Sequence, residues 1–445
     1  MEKASRFLRP VEAVSDIPLP RSIVGPSLIH RSSNTMMLAL PGRPHLTYCT
    51  NIHPGESWAE VRANIEQYVV QVKSHIAPDR LFGIGLRLSH QAAEALSKSD
   101  VLEAFVQFLD THGLYVFTIN GFPYGPFHGQ AVKEQVYLPD WLDESRLTYT
   151  NGLAELLAKL LPPDSKVPNL EGSISTVPGA FQARITGGEE ETRIAVRLLQ
   201  HLARLHEIRE RTGRIISLAL EPEPCCMLET VGDTIRFLQR HCFSKQAQSR
   251  FSALTGLTQA DSEGFLHRHL GVCLDACHMA VEYEDPVAAV RSFQRAGIRI
   301  SKIQLSAGLT VLFDRDPQER LALLERFNNG VYLHQVVERR QGALVRYRDL
   351  PEAVKAASAD MRSVEWRIHC HVPLSREHLR PFPSTQAFVR TLMSMLSEEP
   401  VSPHLEIETY TWSVLPREYR DENIVTSVVG EVQWILDQCG CPSSE

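Results

Sequence analysis

The sequence predicts an α/β protein, a TIM-type (β/α)8 barrel with an excursion before its last strand. Three observations carry this expectation. Short apolar runs alternate with amphipathic stretches of helical period, the pattern of parallel βαβ units. Eight such runs begin near residues 46, 82, 115, 172, 216, 271, 300 and 404, which suits a closed cylinder better than an open sheet. Several of these runs end in ionisable or amide residues, and a barrel carries its chemistry at those carboxy-terminal ends. No Gly-rich dinucleotide fingerprint follows the first run, so no nucleotide cofactor is expected.

The first strand, 46–52, ends at Asn51, His53 and the Pro54-Gly55 turn. Ser57 is a candidate cap for a helix that buries Trp58, Val61, Ile65, Val69, Val72 and Ile76 on one face. A strand over 82–88 and a helix over 91–112, interrupted near Ser97-Lys98-Ser99, come next. The third strand, 115–120, opens into a loop over 121–129 dense in Gly, Pro and aromatics, with Tyr124 and His128 in it; such loops line active sites. A helix over 147–161, a weak strand over 172–177 and a helix over 189–211 follow, the last with Ile194, Leu198, Leu202 and Leu205 on its inner face.

The strand at 216–221 ends in Glu221-Pro222-Glu223-Pro224, and helical material fills 231–265. Gly271 to His278 then runs apolar up to Asp275, with a histidine three positions on. A short helix over 287–296 precedes a strand over 300–305 that carries Lys302, Gln304 and Ser306 on one face. From about 310 to 364 the pattern changes to a helical piece (319–327) and two short β-like runs (331–337 and 343–347), read as the excursion. A strand-like run over 366–372 points Arg367, His369 and His371 the same way. After a helix over 386–396, the last strand, 404–409, sets His404, Glu406 and Glu408 on one face, and a helix over 425–436 closes the chain.

Residues 1–44, rich in Pro, Ser and Arg, are expected to be a flexible leader, and 45–440 a single barrel. Met36 and Met37 offer alternative translation starts. A chain of 445 residues with a formal charge of −7 and no strong basic run does not favour a nucleic-acid footprint. No apolar run approaches the roughly 20 residues of a membrane span. The nine cysteines are scattered, as suits a reducing cytoplasm better than a disulfide framework.

Read in order, the strand ends hold His53, His128, Glu221, Asp275 with His278, Gln304, His369 with His371, and Glu408. Gathered at one mouth, these groups would repel or go unsatisfied without a cation or substrate. A divalent ion is the economical solution, and the mixed carboxylate and imidazole set suits Mn, Zn, Fe or Co. Blander readings stand beside this one. Asp275 can cap a helix beside a packed histidine, His53 can close the Pro54-Gly55 turn, Glu223 can orient a histidine, and Lys302 can pair with Glu406. The Cys225-Cys226 pair has no partner pair at zinc-ligand spacing and reads as packing.

Gly271 through His278, Leu220-Glu221 and Ile407-Glu408-Thr409 resemble motifs of the xylose-isomerase-like and apurinic-endonuclease-like barrel superfamily. His369-Cys370-His371 is similar to the Asp-x-His pair that holds an extra metal in the endonuclease branch. Gln304 departs from the pattern, standing where histidine is usual on the seventh strand. A longer resemblance spans residues 47–56, 120–125, 137–141 and 406–412, which are similar to the bacterial metabolite traffic protein EboE family. It implies a sugar-isomerase-like barrel in a cluster that processes or exports a metabolite precursor beside a prenyltransferase-like membrane protein, and it supplies no reaction. The superfamily resemblance implies a metal-dependent isomerase or epimerase acting on a small hydroxy-carbonyl metabolite, with Glu221 and Glu408 as metal ligands and the acid/base pair and Asp275, Gln304 and His371 completing the ligand set. The ion would stabilise an enediolate oxygen; His278 and His369 would face the substrate, and His53, Tyr124 and His128 would shape specificity. The alternatives are a phosphoesterase with two or three metals and a non-catalytic carrier that keeps the pocket.

Overall fold

The structure, a computed structural model, describes residues 34–128, 131–313, 316–328, 330–357, 361–420 and 423–440. Seven parallel strands come first: β1 (His45–Tyr48), β2 (Phe82–Arg87), β3 (Leu114–Asn120), β4 (Gly172–Thr176), β5 (Ile216–Leu220), β6 (Leu270–Asp275) and β7 (Arg299–Leu305). The chain then leaves this sheet for β8 (Ala307–Leu312), β9 (Val336–Arg340), β10 (Ala343–Tyr347), β11 (Val364–Val372) and a short pair, β12 (His378–Leu379) with β13 (Phe382–Pro383). It returns as β14 (His404–Ile407), which pairs with β1 on one side and β7 on the other.

The main sheet has eight strands in the order β1-β14-β7-β6-β5-β4-β3-β2, and helices cover its outside, so the fold is a TIM-type (β/α)8 barrel. Its strands read as continuous apolar runs because both faces are buried: β2, β3, β5 and β6 are buried at every position. The seam between β1 and β2 closes through the Cys49–Gly85 bridge and through Thr47, whose hydroxyl donates to the Gly83 carbonyl (2.7 Å) and accepts from the Gly85 amide (3.1 Å). Glycine is required at 85: a Cβ there would strike the Glu406 carboxylate and the Tyr48 carbonyl.

Local signals set the helix starts. Ser57 and Glu60 form a capping box on Trp58–Asn64, and the interruption at Ser97-Lys98 separates His90–Leu96 from Ser99–Thr111. Gly188–Thr212 stops at Gly213, which adopts the left-handed conformation. Residues 34–44 lie within the segment expected as a leader, yet Met36 and Leu38 are fully buried and the Leu46 amide donates to the Met36 carbonyl (3.0 Å). The rest of that expected leader, 1–33, lies outside the described residues.

The excursion is wider than its sequence pattern suggested. Only Ser306 separates β7 from β8, and β8 through β11 form a second sheet in the order β10-β9-β11-β8. The run with His369 and His371 is therefore part of this antiparallel sheet. Its pairing with β8 is irregular between Ile368 and Val372, and both histidines sit in that irregular stretch.

Candidate metal centre at the barrel mouth

Glu221 follows β5, Asp275 ends β6 and Glu408 follows β14, so the strand ends bring three carboxylates to one point. Each offers an oxygen within 4.8 Å of the other two, and all three residues are buried. Asp275, His278 and His371 form a second trio on the same criterion, and Glu223, His278 and His369 a third. The excursion supplies His369 and His371, so two sheets build one cluster.

Specific neighbours hold Glu408, Asp275 and His371. Glu408 Oε1 accepts from Asn51 Nδ2 (2.6 Å) and Asn120 Nδ2 (3.0 Å). The Asn120 oxygen accepts from the Phe122 amide (3.1 Å), which fixes that amide's orientation. Asp275 Oδ1 accepts from the His278 amide (2.9 Å) and from Ser306 Oγ (2.8 Å). Asp275 is thus a helix cap for Ala276–Val281 and a member of the cluster at once. His371 Nδ1 donates to the Glu408 carbonyl (2.9 Å), which turns its Nε2 into an acceptor.

The remaining atoms are acceptors with nothing to accept. Glu221 Oε2, Asp275 Oδ2 and His371 Nε2 are buried and have no hydrogen-bond partner among the described residues. Leaving such groups unpaired costs about 1–3 kcal/mol each, more if charged. Burial, then Glu408 and Asp275, push the Glu221 carboxyl well above the usual range; burial, then Asp275 and Glu406, do the same to Glu408. Burial also opposes ionising Asp275, but His278, His371 and its two hydrogen bonds outweigh that and hold it below the usual range. Burial lowers His371, and lowers His278 to about 4. Carboxylates and neutral imidazoles with inward lone pairs fit a divalent ion, so Glu221, Asp275, Glu408 and His371 are the residues that could hold one.

Gln304 does not join this set through its oxygen. Its side chain is fully buried and Oε1 accepts from Cys273 Sγ at 3.0 Å, while the register of β6 and β7 sets Gln304 beside Asp275. Three of the residues expected to touch substrate also stand elsewhere. β1 stops at Tyr48 and a 3-10 turn follows over Thr50–Ile52, so His53 stacks on Tyr68 (ring centroids 4.5 Å apart), with Nε2 3.0 Å from the Tyr48 hydroxyl. Tyr124 stacks on His90 (4.7 Å), away from the cluster. His128 lies 3.9 Å from Glu56 on the outer rim. Each is part of the packing that shapes the mouth.

Above the cluster lies a chamber with a polar floor (Asn51, Asn120, Glu221, Glu223, His278, His369, Glu408) and an aromatic wall (Phe122, Phe127, Tyr137, Tyr332, Tyr410). The excursion roofs it with Tyr332, Leu333 and Gln335. The roof is fastened to the third-strand loop by the Val132 amide to the Val331 carbonyl (2.9 Å) and by the Lys133–Asp349 ion pair (2.6 Å). Sequence reasoning gave no role to Asn51, Asn120, Ser306, Tyr137 or Gln335. Asn51 and Asn120 do stand at strand ends, which was a usable signal.

The fold and this cluster together define a TIM-type barrel whose carboxy-terminal mouth carries a candidate divalent-ion site. No family model matches the chain, and no curated protein does. Solved structures similar to it include a xylose isomerase-like TIM barrel protein from Mycobacterium smegmatis in complex with magnesium, 11% identical, with 90% of this chain and 97% of that one covered at a TM-score of 0.46. The probable 3-DHS dehydratase AsbF of Bacillus anthracis is 13% identical over 87% of this chain and 97% of that one, at a TM-score of 0.42. The IolI protein, solved with a bound zinc atom, is 12% identical over 88% and 97%, at a TM-score of 0.42.

Proposed function

We propose that this chain is a metal-dependent isomerase-like or epimerase-like enzyme acting on a small hydroxy-carbonyl metabolite. The observation that carries this reading is the convergence of Glu221, Asp275 and Glu408 within 4.8 Å of one another, with buried oxygens left unpaired. A bound Mn, Zn, Fe or Co ion would supply Lewis-acid polarisation of a substrate oxygen. Burial favours the protonated form of Glu221 and Glu408; with the ion bound, one of the pair, ionised, would take a proton from one substrate carbon while the other, protonated, would deliver one to the substrate. Asn51 and Asn120 hold one oxygen of Glu408 and leave the other for this work. His278 would bind a substrate hydroxyl, and the aromatic wall would exclude water.

The similarity to the EboE family adds a setting: a cytoplasmic role in processing or exporting a precursor, beside a prenyltransferase-like membrane partner. No helix among the described residues is long and apolar enough to cross a membrane, so such a partner would supply the membrane part. The experiment is solvent exchange. In deuterated buffer the ion-loaded protein, given small-molecule extract, should place deuterium next to a carbonyl in one metabolite, and Glu408→Gln should abolish this. Full biological activity in Glu408→Gln would instead favour a carrier that only holds its ligand.

A second reading, a multi-metal phosphoesterase, is favoured by one observation: His278 Nε2 and His369 Nε2 face each other at 3.1 Å, beside Glu223. Release of inorganic phosphate from a small phosphoester, with no deuterium incorporation, would support it over the isomerase.

A further inference from the structure

We propose that Gln335, carried by the excursion, is a positioning residue that fixes His369 with its proton on Nδ1 and so builds, with His278, a second cation-binding pair in the mouth. The inference rests on the reading of this mouth as a metal centre. It adds a task for the excursion, which then completes the site as well as roofing it.

The hydrogen bonds determine both tautomers. Gln335 Nε2 lies 3.3 Å from the Pro224 carbonyl, 3.2 Å from Glu223 Oε1 and 2.7 Å from the Tyr137 hydroxyl. A carbonyl can only accept, so the amide nitrogen must face Pro224 and the amide oxygen must face the other way. That oxygen is 2.8 Å from His369 Nδ1, which therefore carries the proton. His278 Nδ1 is 3.0 Å from the Pro222 carbonyl and is protonated by the same logic. Both rings then present an unprotonated Nε2; the two nitrogens are 3.1 Å apart, and the Tyr410 hydroxyl lies 3.4 Å from that of His369. Neither neutral ring has a hydrogen to donate to the other.

Two opposed lone pairs are relieved by a positive charge that both accept. Glu223 Oε2 is buried beside them with no hydrogen-bond partner among the described residues, and one oxygen of Glu223 lies within 4.8 Å of a nitrogen on each ring. Two imidazoles and a carboxylate form a set that suits zinc. A residue that fixes a ligating histidine's tautomer typically governs metal affinity by about 10- to 100-fold.

Nitrogen-15 spectra of the metal-free, full-length protein with labelled histidine, followed by zinc titration, test the proposal. We expect His369 and His278 both in the Nδ1–H form before zinc is added, and two zinc ions per chain at saturation. Gln335→Met should remove the single tautomer of His369 and weaken the second zinc by about 10- to 100-fold, with the first zinc unchanged. An Nε2–H tautomer of His369 in the unsubstituted protein, or a proton shared between the two rings, would overturn the proposal without any variant having to fold. So would tight binding of both zinc ions by Gln335→Met. Loss of the first zinc alone would count against the proposed function and leave the tautomer assignment standing.

Discussion

The interior of this barrel holds two layers of buried charge that solve the same problem in opposite ways. In the middle of the cylinder Lys302 and Glu406, both fully buried, face each other at 2.5 Å. Below them His404 bonds Ser173 (2.8 Å) and His45 bonds Tyr115 (2.7 Å). At the mouth, Glu221, Asp275 and Glu408 converge with no lysine or arginine among them, and Lys133, the one cation lining the chamber among the described residues, is tied to Asp349. The lower layer is neutralised by the chain itself, whereas the upper layer asks for a cation from outside. Buried charge therefore marks a site only where the fold leaves it uncompensated.

The largest effect expected from this contrast is at the lower layer. Lys302→Met leaves Glu406 buried and alone and should lower unfolding stability by about 3–5 kcal/mol in denaturant titration, most of which Lys302→Met with Glu406→Leu should restore. At the mouth a cation should do what Lys302 does below: saturation with Mn or Zn at 100 times its dissociation constant should add about 2.7 kcal/mol. Asp275→Asn should abolish that gain. Asn51→Ala, which frees Glu408 from its stronger donor, should weaken the ion by about 10- to 100-fold in calorimetric titration.

A smaller effect with the opposite sign sharpens the contrast further. Glu221→Gln removes one of the converging carboxylates, so the metal-free protein should gain about 0.5–2 kcal/mol, a gain absent when the ion is bound. The pH dependence is weaker still. Burial raises Glu223 to about 8, against the hydrogen bonds from Tyr137 and Gln335, so the fold favours its protonated form. Its contribution to metal-free stability is full below about 4.5 and is lost as pH rises through about 8, and Glu223→Gln should flatten that decline in thermal melts.

The barrel was legible because its signals are local and repeated: apolar runs of strand length, caps such as Ser57, and stops such as Gly213. The convergence of Glu221, Asp275 and Glu408 was legible for a related reason, since in a parallel barrel all strand ends meet at one rim. Lys302 with Glu406 was one of the readings left open, since alternation turns both inward and a buried lysine needs a carboxylate, and the pair forms. What the sequence hid depends on side-chain direction in loops. His53 and Tyr124 look like site residues, but stacking on Tyr68 and His90 takes their rings away. Gln304 shares a strand face with Lys302 and lies in register with Asp275, and only the side-chain contact with Cys273 reveals that its oxygen is engaged. Gln335 had no periodic pattern to mark it, because it enters the mouth from a sheet that departs from the barrel's alternation.

The most direct measurement is calorimetric titration of Mn into metal-free protein, with Asp275→Asn and Lys302→Met/Glu406→Leu alongside. The uncompensated mouth predicts binding by the unsubstituted protein and by the double variant, and none by Asp275→Asn. Equal binding by all three, or no binding by any, would contradict it.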